Sequence, residues 1–280
     1  MSLKSEQKIV KWSSFIFLSI LAVVWITPML WIISTSLKPE SEAISHPITW
    51  IPKTFTLQNY EHVIMNSSES PILRWFFNSL FIATTYTTLL LIITSLAAFA
   101  YARLKFKGRE VIFWTLMSTM MIPTVMNLVP LYSLVSLFGW IDTPWAMIFP
   151  GLGSVMGIFL LRQFYIGIPP ELEEAARIDG ANTFQIFYKI ILPLAKPALV
   201  VVGLFSFMGN WNDFLWPLIV TNSTEMRTLP AGLSILQGNY NIQYAKMMTA
   251  TVLSAIPVII LFLFTQRFFV KGIALSGLKG

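Results

Sequence analysis

Residues 171–193 read ELEEAARIDGANTFQIFYKIILP, a charged segment in a chain that is otherwise mostly apolar. Its residue order specifies two short helices and a turn between them. Pro169 and Pro170 preset the backbone for a helix start, and Glu171, Glu173 and Glu174 in the first turn favour the positive end of the macrodipole. Ala175 and Ala176 are strong helix formers with small side chains, so that face admits close approach by another surface. Gly180 accepts the left-handed backbone of a helix stop, Asn182 or Thr183 is placed to cap a second helix, and Pro193 is expected to stop it. On spacing alone, a long amphipathic linker with solvated charges fits equally well.

The flanking sequence decides what this segment is attached to. With 55% hydrophobic and 11% charged residues and a mean hydropathy of +0.69, the chain is too apolar for a soluble domain of 280 residues. An integral membrane protein is expected. The absence of Cys excludes disulfides and thiolate metal sites, and two His leave little room for an imidazole-built centre. No metal site and no catalytic residue is assigned. A net charge of +6 fits nucleic acid as a partner, but Lys and Arg are confined to short segments between apolar runs, which is a membrane pattern and argues for none.

A spanning helix needs about 20 apolar residues to cross roughly 30 Å of hydrocarbon. Six runs qualify as predicted helices, at 13–36, 75–102, 111–138, 143–161, 198–220 and 247–266, the fifth interrupted by Asp213. Lys4, Lys8 and Lys11 before the first run resemble a signal peptide, but the run continues to Ser36 without a small-residue cleavage site and reads as a retained helix. The whole chain, 1–280, is expected to form one all-α transmembrane domain. Fourteen of the 19 basic residues fall in the N-terminus, the 103–110 turn, the 162–197 segment and the C-terminus; the exceptions are Lys38, Lys53, Arg74, Arg227 and Lys246. By the positive-inside rule both termini and the 162–197 segment are cytoplasmic.

Glu174-Ala175-Ala176, Gly180, Ile190, Leu192 and Pro193 match every fixed position of the signature EAA-x3-G-x9-I-x-LP, and the chain thereby resembles the permeases of ABC importers. The resemblance implies the type I, MetI-like permease fold with six transmembrane helices. It also implies that the seven matching residues belong to a coupling helix seated in a cleft of a partner ATPase, Glu174 offering a carboxylate to a basic group there and Gly180 supplying the turn. This chain has no GxxxxGK[ST] phosphate loop, and Gly151, Gly153 and Gly157 lie in an apolar stretch with no Lys following; Gly153 and Gly157 read as helix packing. The chain is therefore not expected to be an enzyme or to carry a cofactor, with ATP and Mg bound instead by two partner ATPase subunits. A second permease subunit, an extracytoplasmic sugar-binding protein and the lipid bilayer complete the implied partners, in the cytoplasmic (inner) membrane of a bacterium or archaeon.

Cargo is read from Gly209 to Pro217. Fifteen residues from Ala198 to Asn212 climb only about 22 Å, so Asp213 falls short of the far interface, where an ionisable group is costly. It is either a functional carboxylate or a satisfied structural one, and Pro217 marks a kink. The run Trp211-Asn212-Asp213-Phe214-Leu215-Trp216-Pro217 resembles the carbohydrate-uptake branch, notably the MalG-like subunit of maltose-type transporters. Asn78-Ser79-Leu80, Lys271-Gly272 and Gly277-Leu278-Lys279-Gly280 extend that resemblance along the chain. It implies a sugar or oligosaccharide as cargo, with Asn210, Trp211, Asn212 and Asp213 as residues of the translocation path. Asn127, set between Pro123 and Pro130 among several Met, joins them as a path candidate. Permeases for a polyol, a glycerol phosphate or an amino acid remain alternatives, and a membrane-embedded enzyme is the remote one. Two external loops offer surfaces to the binding protein or serve as plain connectors: 38–74, with Pro39, Pro47, Pro52 and Pro71, and 221–246, with Asn222, Thr224, Gln237, Asn239, Tyr240 and Asn241.

Overall fold

The computed structural model describes residues 3–65, 71–237 and 243–276, so Asn239, Tyr240, Asn241 and the terminal Gly277-Leu278-Lys279-Gly280 lie outside the described residues. Among those described, every regular element is helical. In chain order they are α1 (Leu3–Ser36), α2 (Glu40–Ala43), α3 (Gln58–Met65), α4 (Ile72–Arg103), α5 (Arg109–Thr119) and, after a 3-10 turn at Thr124–Asn127, α6 (Leu128–Leu137). Then follow α7 (Trp145–Ile148), α8 (Val155–Ile166), α9 (Glu171–Ile178), α10 (Thr183–Ile186), a π-helical stretch Phe187–Ile191, and α11 (Leu192–Leu194). The rest are α12 (Lys196–Trp211), α13 (Leu215–Val220), α14 (Leu229–Gln237) and α15 (Tyr244–Ser276).

Three of these contain an unbroken stretch long and apolar enough to cross a bilayer: Val10–Ser36, Ile72–Arg103 and Tyr244–Arg267. The predicted helices at 111–138, 143–161 and 198–220 are each broken, and proline explains where. A proline ring clashes with the carbonyl four residues back and supplies no N–H. Pro123 accordingly ends α5 at Thr119, and the chain turns by 93° before α6, whose own Pro130 sits harmlessly in the first turn. Pro217 removes the donor for the carbonyl of Asp213, and α12 gives way to α13 across Asn212–Phe214. Between α7 and α8 the breakers are Pro150, Gly151 and Gly153.

The contacts form two compact units, one of Met1–Leu73 with Leu233–Ile256, the other of Arg74–Gly232 with Pro257–Gly280. In the first, Glu40 accepts the N–H groups of Tyr244 (2.6 Å) and Ala245 (2.9 Å), placing a carboxylate on the positive end of α15. In the second, one core joins Leu90 and Phe99 of α4, Phe113 of α5, Leu161 and Tyr165 of α8, and Ile186 and Ile191 after α9. A second cluster, Ile82, Val135, Ala146, Ile148 and Val220, closes the opposite end of these helices.

That opposite end is tied by Asp142 and by the Asn78-Ser79 pair. Asn78 donates to the carbonyls of Glu225 (2.7 Å) and Arg227 (3.0 Å), while Ser79 accepts the N–H of Leu229 at 2.8 Å. Asp142, at φ 61°, accepts from Asn222 N–H (2.9 Å), Ser223 N–H (3.0 Å) and the Ser223 hydroxyl (3.0 Å). Partial burial pushes its carboxyl up, but the Ser223 and Asn222 donors, aided by Arg227, outweigh it and hold the group below the usual Asp range. Asn tolerates the same left-handed backbone. Asp142→Asn is expected to lower the stability of the detergent-solubilised chain near neutral pH by about 1 kcal/mol, the scale of a partly exposed charge-assisted contact. A depressed folded-state value means stabilisation that is present above the unfolded Asp range and lost as pH falls, so thermal melts of parent and variant are expected to converge as the pH drops through and below the usual Asp range.

Candidate functional site

Arg103 stands in the last turn of α4 and holds three things at once. Its Nη2 donates to the carbonyls of Tyr165, in the last turn of α8, and Ile168, just beyond it; the Tyr165 carbonyl also accepts the N–H of Ile168 at 3.1 Å. Its Nε lies 2.9 Å from Glu173 Oε1 of α9, an ion pair off the line of a hydrogen bond. The two side chains are only 12% and 11% exposed, so the pair is shielded from water. Arg162 of α8 adds a second tie: Nε donates to Tyr101 O (3.3 Å), Nη2 reaches both oxygens of Glu110 (3.1 and 3.2 Å), and the guanidinium lies 4.1 Å from the centre of the Phe113 ring. In the sequence both arginines count only as charges that orient the chain. In the structure they join α4, α5, α8 and α9.

The 171–193 segment is therefore divided by face. Glu173 is buried and Ala176 half-buried against the core, whereas Glu174, Ala175 and Arg177 are exposed. Close approach to the small face is taken on the Ala176 side by the chain itself. Ile178 is 86% exposed, and Phe184 and Tyr188 are also open, which makes an apolar surface at the tip of a polar helix. Gly180 turns the chain at φ 82°, and Asn182 caps α10 in a reciprocal box with Gln185 (2.9 and 2.8 Å). Pro193 does not stop the second helix as expected. A π-helical stretch, Phe187–Ile191, precedes it, the helix runs on to Leu194, and the bend of 76° falls beyond Leu194. Ile190 and Leu192 are half-buried and Pro193 is exposed. Glu173 was not singled out in the sequence; the signal available was that it shares a helical face with Ala176, three residues on.

A cavity of about 590 Å³ opens among α4, α6, α8 and α12. All three helix breaks line it: Thr124 and Asn127 from the first, Gly151 and Ser154 from the second, Asp213 from the third. Non-helical backbone is tolerated at membrane depth where it lines such a space. Ser206, Asn210 and Trp216 complete its polar and aromatic wall, and no Lys or Arg is among its lining residues. Asp213 accepts from the N–H of Trp216 at 3.4 Å and so also caps α13. Of the path candidates, Asn127, Asn210 and Asp213 share this cavity. Trp211 and Asn212 do not: Trp211 is buried, stacked on Phe207 at 5.8 Å, and Asn212 turns back to Met208 O at 2.9 Å. Tyr86 and Trp216 were not predicted there; Tyr86 is fixed by its hydroxyl on Gly151 O (2.9 Å), where glycine leaves room for the ring. Among the described residues no three His, Asp or Glu converge on a metal-sized site.

Residues 91–275 match the family described as binding-protein-dependent transport system inner membrane component. The arabinooligosaccharides transport system permease protein AraQ of Halalkalibacterium halodurans is 35% identical over 279 residues, 99% of each chain. The trehalose/maltose transport system permease protein MalG of Thermococcus litoralis is 32% identical, covering 93% of this chain and 94% of its own. Among solved structures, a bacterial ABC transporter involved in import of the acidic polysaccharide alginate superposes with a TM-score of 0.82 at 24% identity, over 96% of this chain and 99% of that one.

Removing one partner of a shielded ion pair leaves the other charge uncompensated. Glu173→Gln is expected to lower the stability of the purified protein by about 3 kcal/mol in thermal melts. Glu174→Gln, on the exposed face of the same turn, is expected to change it by less than about 0.5 kcal/mol.

Proposed function

This chain belongs to the family of binding-protein-dependent transport system inner membrane components, and from that premise we propose that it is the permease subunit through which an ABC importer passes a sugar or oligosaccharide. As an ABC permease it is a multi-pass membrane protein and is not itself an enzyme. Counting α5 with α6, α7 with α8, and α12 with α13 as broken crossings gives six, with both termini and residues 162–197 on the cytoplasmic side and the chain as one permease domain. A second permease subunit, two ATPase subunits carrying ATP and Mg, and an extracytoplasmic binding protein complete the machine.

The observation that carries the reading is the division of residues 171–193. One face is fixed by Arg103 to the ends of two apolar helices, and the other offers Glu174, Ile178 and Phe184 outward. A push received on the open face passes to α4 and α8 without loss in a flexible link, and the bundle exchanges inward for outward access. Hydrolysis in the partner thereby does work on a chain that has no nucleotide loop of its own.

For cargo, the relatives named for arabinooligosaccharides and for trehalose and maltose agree with the cavity. Amides, hydroxyls and one carboxylate suit sugar hydroxyls, and Trp216 offers an aromatic face. A phosphate ester calls for Arg or Lys, and none lines the space.

Glu174→Lys and Gly180→Pro are each expected to abolish ATP-driven uptake while the chain still inserts, measured by co-purification of the ATPase and by uptake at matched membrane abundance. Normal uptake in both overturns the coupling assignment. The binding protein that co-purifies with the complex is expected to melt at a higher temperature with pentose or hexose oligosaccharides and to be unmoved by amino acids.

A further inference from the structure

The loop after α1 is inside out for a loop in water. Ile44, Ile48, Trp50, Ile51, Phe55 and Leu57 are between 55% and 80% exposed. Several of its polar groups meanwhile are turned inward, while His46, Lys53 and Thr54 stay open. Lys38, fully buried, donates to Thr49 O and lies 4.6 Å over the ring of Trp31. Glu42 collects the Lys53 N–H (2.8 Å), the Thr54 N–H (3.1 Å) and the Thr49 hydroxyl (3.1 Å). Thr56 N–H bonds Leu37 O at 2.9 Å, and Asn59 spans Ser36 O and Lys38 O at 2.9 and 2.7 Å. The loop is thus a built structure whose exterior is largely apolar, with His46 and Lys53 as long polar side chains able to reach the headgroups.

Its position along α1 says what covers that exterior. Trp50 packs edge-on against Trp31 at 5.1 Å, and its carbonyl accepts from Ser34. Trp31 lies five residues before the end of α1, roughly 7 Å back along the helix. The most apolar part of Val10–Ser36 is not buried by the chain itself, so its side chains face hydrocarbon, and only the last turn, with Thr35 and Ser36, is covered by protein. The exposed face of the loop continues that lipid-facing surface at the level of its last turns. An aromatic pair with aliphatic neighbours at this depth matches the boundary between headgroups and acyl chains.

We propose that residues 44–57 seat in the outer leaflet of the bilayer, as an interfacial anchor holding the outer end of α1, and not as a surface for the binding protein. The proposal rests on the orientation given above, with the end of α1 outward. A lipid seat also accounts for Lys38 and Glu42 being satisfied within the loop, since an unpaired charge at that depth is costly.

The absence of native Cys allows single labels. In the complete transporter, reconstituted in phosphatidylethanolamine and phosphatidylglycerol vesicles, an environment-sensitive fluorophore on Ile51→Cys or Phe55→Cys is expected to be quenched about threefold more by lipid doxyl groups near the headgroup than by aqueous iodide. Ser41→Cys, on the polar side of the loop, is expected to react with an impermeant maleimide added outside. Quenching by iodide alone, with Ser41→Cys labelled from outside, overturns the lipid seat and leaves the orientation intact. Protection of the Ile51 and Phe55 labels that arises only on adding the binding protein, or that is as complete in detergent as in vesicles, assigns the surface to a protein partner and also overturns it. Labelling of Ser41→Cys only from the cytoplasmic side overturns the orientation, and the outer-leaflet assignment with it.

Discussion

Arg103 is the residue on which the working half of this chain depends. A guanidinium at the end of a spanning helix answers two carbonyls at and just past the end of α8 and one carboxylate at the start of α9. The carboxylate is costly when buried alone because it is shielded from water, and the two carbonyls gain a charged donor where the chain leaves α8. One planar, multi-donor group meets all three, which lysine with its single ammonium does not do in fixed geometry. The polar segment between α8 and α12 is thereby a rigid extension of the apolar helices and not a tether between them. Arg162, with Glu110 and the Phe113 ring, extends the same arrangement to α5.

The second constraint is the cost of leaving backbone groups unpaired in hydrocarbon. Unbroken helices avoid it, and α1, α4 and α15 contain such stretches. The other apolar runs are interrupted at Pro123, at Pro150-Gly151 and ahead of Pro217, and each interruption borders the same cavity. The breaks are therefore where polar backbone and side chains are gathered in an otherwise apolar bundle. Asn127, Asn210 and Asp213 owe their common location to helix-breaking residues far apart in the sequence. The Asp213 carboxylate also accepts from the N–H of Trp216, which holds it at the start of α13.

Much of this was legible in residue order. Local rules act over a few positions, so the start of α9 after Pro170, the turn at Gly180 and the cap at Asn182 could be read directly. The apolar runs marked where helices lie, but hydropathy is blind to whether a run is straight, and the breaks in 111–138 and 143–161 were missed although their prolines were in view. Pairings across the fold left no local mark. Arg103 meets Glu173 across seventy positions, and although Glu173 shares a helical face with Ala176, nothing local names Arg103 as its partner. Trp211 illustrates the reverse error: it sits among path candidates in sequence, yet one helical position of rotation turns it into the core beside Phe207 while Asn210 faces the cavity.

The central claim is that α9 and the helices bound by Arg103 and Arg162 move as one body when the ATPases act. Spin labels on Val111→Cys in α5 and Glu171→Cys in α9, both exposed positions in a chain otherwise free of Cys, report their separation directly in the assembled transporter. The account predicts one narrow distance distribution, the same in the nucleotide-free and ATP-trapped states. A distribution that broadens, or that shifts to a second distance on ATP binding, would contradict it.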